Sequence, residues 1–122
     1  VTRERLEQYD SLLQELQEEQ ERLARETRHA QRMEETYGVG CLFGAAYLEE
    51  ARTRVQVLAA QREDESAEVQ QWIASIRDSM TRRALRLRYM DCLTWADVAI
   101  RMGYADESGP RKLVSKVLRD GV

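Results

Sequence analysis

A chain of 122 residues holds enough material for one domain, or for a small domain with a long appendage. One Pro, six Gly and no run that alternates apolar and polar β-branched residues exclude a β-rich fold, so the fold class expected is all-α. The net charge of −3, a single His and two widely separated Cys give no metal-ligand spacing, and the isolated thiols read as reduced, in a cytoplasmic protein.

Residues 2–36 contain no Gly or Pro and are dense in charge. Steps of three and four give Leu6, Tyr9, Leu13, Leu16, Gln20, Leu23, Thr27 and Ala30, a heptad seam interrupted by polar Gln20 and Thr27. A straight helix of this length runs roughly 50 Å and depends on a partner to bury so narrow a stripe. A second seam supplies one: Leu48, Ala51, Val55, Leu58, Arg62, Glu65, Val69, Trp72 and Ile76, widened by Ile73 and Met80. The pattern predicts a long antiparallel helical hairpin, a coiled-coil-like arm over residues 1–80 with its loop at about 37–47. A coiled coil between two chains satisfies the same heptads.

The connector YGVGCLFGAA breaks the helix with three Gly, yet it is apolar where a solvent loop is usually polar. One reading makes Val39, Leu42 and Phe43 an interaction tip for a second subunit or a partner protein. The other folds them back over the end of the hairpin. Cys41 has no base or cation beside it in sequence to make it reactive.

The charge then changes sign. Residues 1–80 carry 10 Lys/Arg against 17 Asp/Glu, whereas residues 81–122 carry 9 against 5, which directs a polyanionic partner to the C-terminal part. A third helix is expected from Thr81 as N-cap, with Ala84, Leu85, Tyr89 and Met90 on its apolar face and Arg82, Arg83, Arg86 and Arg88 on its surface. Thr94 and Asp97 form a start signal for a short helix, WADVAIRM, which Gly103 ends in the left-handed conformation. Asp106 or Ser108 caps the next helix, and Pro110 is tolerated in its first turn, where N–H groups have no intrahelical acceptor. That helix sets Leu113, Val114, Val117 and Leu118 against a basic face of Arg111, Lys112, Ser115, Lys116 and Arg119. Two short helices joined by a tight turn form a helix-turn-helix unit, expected as a second domain over 81–122.

LRLRYMDCLTWADVAIRMGY followed by a basic helix resembles the region-four helix-turn-helix of bacterial sigma factors. It is closer still to the phage-type ArpU/RinA-like late transcription regulators, with a match covering about residues 73–120. Two features depart from the sigma pattern: the turn after Gly103 is one residue longer, and Pro110 replaces a β-branched residue. The resemblance implies a sequence-specific DNA-binding transcription regulator whose recognition helix, about 107–120, lies in the major groove. Arg111, Lys112, Ser115 and Lys116 would face the bases and Arg119 a phosphate, since Arg and Lys pair with guanine O6 and N7. Thr94 and Trp95 would offer backbone N–H groups to a phosphate, with Arg88 and Arg101 as further backbone contacts. Each of these cations also has a plain reading as a solvated side chain, and Trp95 one as core.

The partners that follow are double-stranded DNA, RNA polymerase, and a second copy of the chain through the arm. No cofactor is expected. No enzyme is expected either, because the chain has no Gly-rich phosphate loop and no nucleophile with a base, and His29 sits among Arg28 and Arg32 on a charged helix. Without an apolar run of spanning length or a signal-peptide pattern, neither secretion nor a membrane anchor is expected. Two other functions fit the pattern: a phage small terminase-like DNA-packaging protein, and a protein-binding helical module without DNA binding.

Overall fold

The long Gly- and Pro-free runs form two long helices, α1 (Arg3–Tyr37) and α2 (Leu42–Ser75), and three short ones follow. These are α3 (Ser79–Leu85), which passes directly into a π-helical turn (Arg86–Met90), α4 (Trp95–Met102) and α5 (Ser108–Asp120). The computed structural model describes residues 1–38 and 42–120, with side chains at 1–38 and 48–120. Among these the protein is all-α, and no helix is long and apolar enough to cross a membrane. The apolar tip read at Val39, Leu42 and Phe43, and Cys41 with it, lies outside the described side chains.

α1 ends where expected. Gly38 takes the left-handed conformation (φ 86°) and its N–H closes on the Glu34 carbonyl at 2.8 Å. α2 begins earlier than the expected loop of 37–47 allows, at Leu42, so that Gly44 is accommodated inside the helix. Propensity weighed each Gly as a breaker, but one Gly costs only about 1 kcal/mol and the Ala pair behind it favours helix.

The chain forms two compact units. In the first, Ser11–Glu63, the middle of α1 lies antiparallel to the first part of α2. Leu12, Leu16 and Ala51 are buried in their seam, with Leu23, Val55 and Leu58 half-buried. Leu12 takes the central place expected of Leu13, which is only half-buried. Glu19 ties the two helices, accepting from Arg22 at 2.8 Å and from Arg54 at 3.5 Å. The polar interruption at Thr27 is resolved within its own helix, where the hydroxyl donates to the Leu23 carbonyl at 2.8 Å.

The second unit joins Val1–Asp10 to the chain from Asp64 onward, and so is larger than the segment 81–122. Its core takes Leu6 and Tyr9 from α1, and Val69, Ile73 and Ile76 from α2 and its end. Ala84 and Leu85 from α3, Val98 from α4, and Val114 and Val117 from α5 complete it. α2 stops at Ser75 without a Gly or Pro. The carbonyls just past its end are taken by the Arg82 guanidinium, 2.6 Å from the Ile76 oxygen and 2.9 Å from that of Arg77. The expected surface position of Arg82 is corrected accordingly.

The expected cap of α3 is also corrected. Asp78, not Thr81, is the N-cap, its carboxylate accepting the Thr81 N–H at 3.1 Å and the Thr81 hydroxyl at 2.7 Å. The hydrogen-bonded Thr81 side chain then fits the core at 4% exposure.

Candidate nucleic-acid interface

The helix-turn-helix geometry is set by two caps and one glycine. At the start of α4 the Thr94 hydroxyl accepts the Asp97 N–H at 3.2 Å. At its end Gly103 is left-handed (φ 80°), and the Tyr104 N–H reaches back to the Ala99 carbonyl at 2.9 Å in a Schellman-type closure. The turn then leads to Asp106, whose carboxylate accepts both the N–H and the hydroxyl of Ser108, the first residue of α5. These two bonds, hydroxyl first, hold the Asp106 carboxyl below its ordinary pKa. Engaged in this way, Asp106 ends the turn and starts α5. Pro110 falls in the first turn and is fully buried. The Tyr104 ring closes over Gly109, where a Cβ would meet ring carbons at 2.4–2.9 Å.

α5 is sharply divided. Pro110, Val114 and Val117 are buried, while Lys112, Lys116 and Arg119 form an exposed stripe at spacings of four and three. Arg119 is engaged by its neighbour Asp120 at 3.1 Å, a contact that raises the pKa of the guanidinium and lowers that of the carboxyl. Arg111 and Ser115 occupy the adjacent stripe. Arg111 is exposed, makes an i,i+4 ion pair with Glu107 at 3.4 Å, and lies 5.9 Å from the Trp95 ring centre. Ser115 is half-buried and accepts a hydrogen bond from the Arg3 guanidinium at 3.0 Å.

The structure thus brings Arg88, Trp95, Arg111 and Ser115 together, around a cleft of about 270 Å³. Arg88 is held inward rather than on the surface. It donates to the Leu93 carbonyl at 3.0 Å, pairs with Asp10 at 3.2 Å, and lies 5.6 Å from the Trp95 ring centre. The π-helical turn that follows α3 carries Arg88 and Tyr89, and such wide turns often occur at functional positions. Trp95 is half-buried with the Tyr89 ring edge-on at 6.4 Å, so it both closes the core and walls the cleft. Burial raises the Tyr89 phenol pKa. Arg101, in the last turn of α4, is exposed and is not among the residues that line this cleft.

Sequence reasoning did not find Arg3, Glu7 and Asp10, which reach the cleft from the first turns of α1. Their partners are far away in the chain, 112 residues for Arg3 with Ser115 and 78 for Asp10 with Arg88. The only available signal was that the seam already begins at Leu6 and Tyr9, which commits this turn of α1 to a core.

Among the described residues no group of His, Cys, Asp and Glu is placed to hold a metal ion. No protein-family model, curated protein or solved structure matches the chain.

Proposed function

We propose that the protein is a sequence-specific DNA-binding transcription regulator of the sigma region-four or phage late-regulator type, acting in the cytoplasm, with α5 as its reading helix. One observation carries this reading. α5 fixes its apolar side in the core behind a capped helix and a left-handed glycine turn, and presents Arg111, Lys112, Lys116 and Arg119 on its exposed side. A helix anchored on one face and cationic on the other suits the major groove, where an Arg or Lys to guanine discriminates by about 1–3 kcal/mol per good pair. The arm then serves dimerisation or contact with RNA polymerase.

The test is a titration against a pool of random duplex DNA at several salt concentrations, with wild type beside an Arg111→Ala, Lys112→Ala, Lys116→Ala variant. The reading predicts enrichment of a defined site by the wild type and loss of that site by the variant. It also predicts a log–log salt slope of about −0.9 for each phosphate neutralised. Equal behaviour of the two proteins would leave the stripe a solvated face, and would favour a protein-binding module instead.

A further inference from the structure

The cations around the cleft are not equivalent. Arg88 is balanced by Asp10 at 3.2 Å and Arg111 by Glu107 at 3.4 Å. Among the described residues Arg3 makes no ion pair, and its partner is a neutral acceptor, the Ser115 hydroxyl. A guanidinium has five donors in a planar fork, so one bond to Ser115 leaves most of them unused, with Glu7, one turn along α1, the further carboxylate that lines the cleft. Arg3 is exposed. It therefore lies on the α5 face that carries Arg111, oriented by a side chain of α5 itself, with the capped start of α4 across the same cleft.

We infer that Arg3 is a DNA backbone contact: its guanidinium, oriented by Ser115 and facing the cleft beside Arg111 and Trp95, takes a phosphate oxygen of the strand that flanks the groove. This rests on the proposed DNA-binding reading and extends it beyond the helix-turn-helix, to a segment that folds with α5 although it stands at the other end of the sequence. Ser115 then acts as a positioning residue for a phosphate contact and does not read a base. The chemistry suits the assignment: Arg pairs with phosphate bidentately, and the Ser115 hydroxyl commits one lone pair to orienting it.

The experiment compares the salt dependence of duplex binding for wild type, Arg3→Ala, Arg3→Lys and Ser115→Ala, with thermal unfolding of each measured in parallel. The inference expects Arg3→Ala to reduce the magnitude of the salt slope by about 0.9, and to weaken all duplex sequences by a similar factor, so that site preference is kept. Arg3→Lys should restore the slope, because the charge is retained. Ser115→Ala should keep the wild-type slope, with only a modest loss of affinity. An unchanged slope in Arg3→Ala overturns the inference. So does tighter binding by that variant, which would make the start of α1 a cover over the reading helix. If Ser115→Ala and Arg3→Ala lower both affinity and melting temperature equally with the slope intact, Arg3 is only a structural tie and the inference fails. The DNA-binding reading survives all three of these outcomes, provided that the Arg111, Lys112, Lys116 variant loses the site. If the wild type does not bind duplex DNA at low salt, both fail together.

Discussion

At the turn between α4 and α5 the contact of Tyr104 with Gly109 leaves no room for a methyl group. A Cβ at residue 109 would lie within 3 Å of three ring carbons, one of them Cγ, which rotation of the ring about its own axis does not move. Alanine normally gains about 1 kcal/mol over glycine inside a helix. At this first-turn position the collision outweighs that gain, so Gly109→Ala is expected to lower the melting temperature, while pairing it with Tyr104→Ala should recover part of the loss. Additive losses in the double variant, seen by thermal denaturation, would show that ring and methyl do not meet. Cys92 is another residue with a local cost, an exposed non-glycine in the left-handed region at φ 59°. It precedes Leu93, whose N–H is held by the Leu87 carbonyl at 3.1 Å, so the loop conformation is fixed by the wide turn before it.

At the scale of elements, α3 depends on a charge at its start. Asp78 accepts two hydrogen bonds from Thr81, hydroxyl first and then N–H, and these lower its carboxyl below the ordinary 3.8. A carboxyl with a lowered folded pKa adds stability that is complete above the unfolded value and fades as pH falls through the folded one. Asp78→Ala is therefore expected to melt below wild type by a constant interval across neutral pH, and the interval should close in acid, below 3.8. Melting curves between pH 7 and pH 2 decide it, and an interval that persists unchanged in acid would place the role of Asp78 elsewhere. This helix also marks how far the sequence could be read. α4 and its glycine stop were legible, because Thr94, Asp97 and Gly103 are local signals acting within one turn. The start of α3 was not, because Thr81 and Asp78 are both plausible caps and only burial of Thr81 selects between them. The end of α2 was not legible either, since the carbonyls just past it, of Ile76 and Arg77, are held by Arg82 on the next helix. The basic face of α5 was visible from periodicity, whereas the tie from Arg3 to Ser115 is a long-range contact with no local pattern.

Over the whole molecule, charge and core are divided differently from the sequence halves. The basic excess of residues 81–122 is offset inside its own compact unit, for residues 1–10 and 64–122 together carry 12 Lys/Arg and 12 Asp/Glu. Any attraction for a polyanion must then come from local cations, the stripe on α5 and Arg3 beside it, and not from a net field. The core is divided in the same way. Leu6 is fully buried among residues of α2, α3, α4 and α5, whereas Leu23, another leucine of the same heptad seam, is half-buried in the other unit. Removing the side chain of a fully enclosed leucine costs about 2–5 kcal/mol, because the cavity cannot collapse, while a partly solvated one costs nearer 1 kcal/mol. Leu6→Ala should therefore shift the urea midpoint of the second unit, followed by fluorescence of Trp72 and Trp95, several times further than Leu23→Ala does. Both tryptophans pack against that core, so the probe reports the unit to which Leu6 belongs. Equal shifts would mean that the start of α1 is only an extension of the arm. A dominant Leu6 effect would mean instead that the helix-turn-helix depends on the first turns of α1 for its folded state, and that Arg3 is carried to α5 by the same packing.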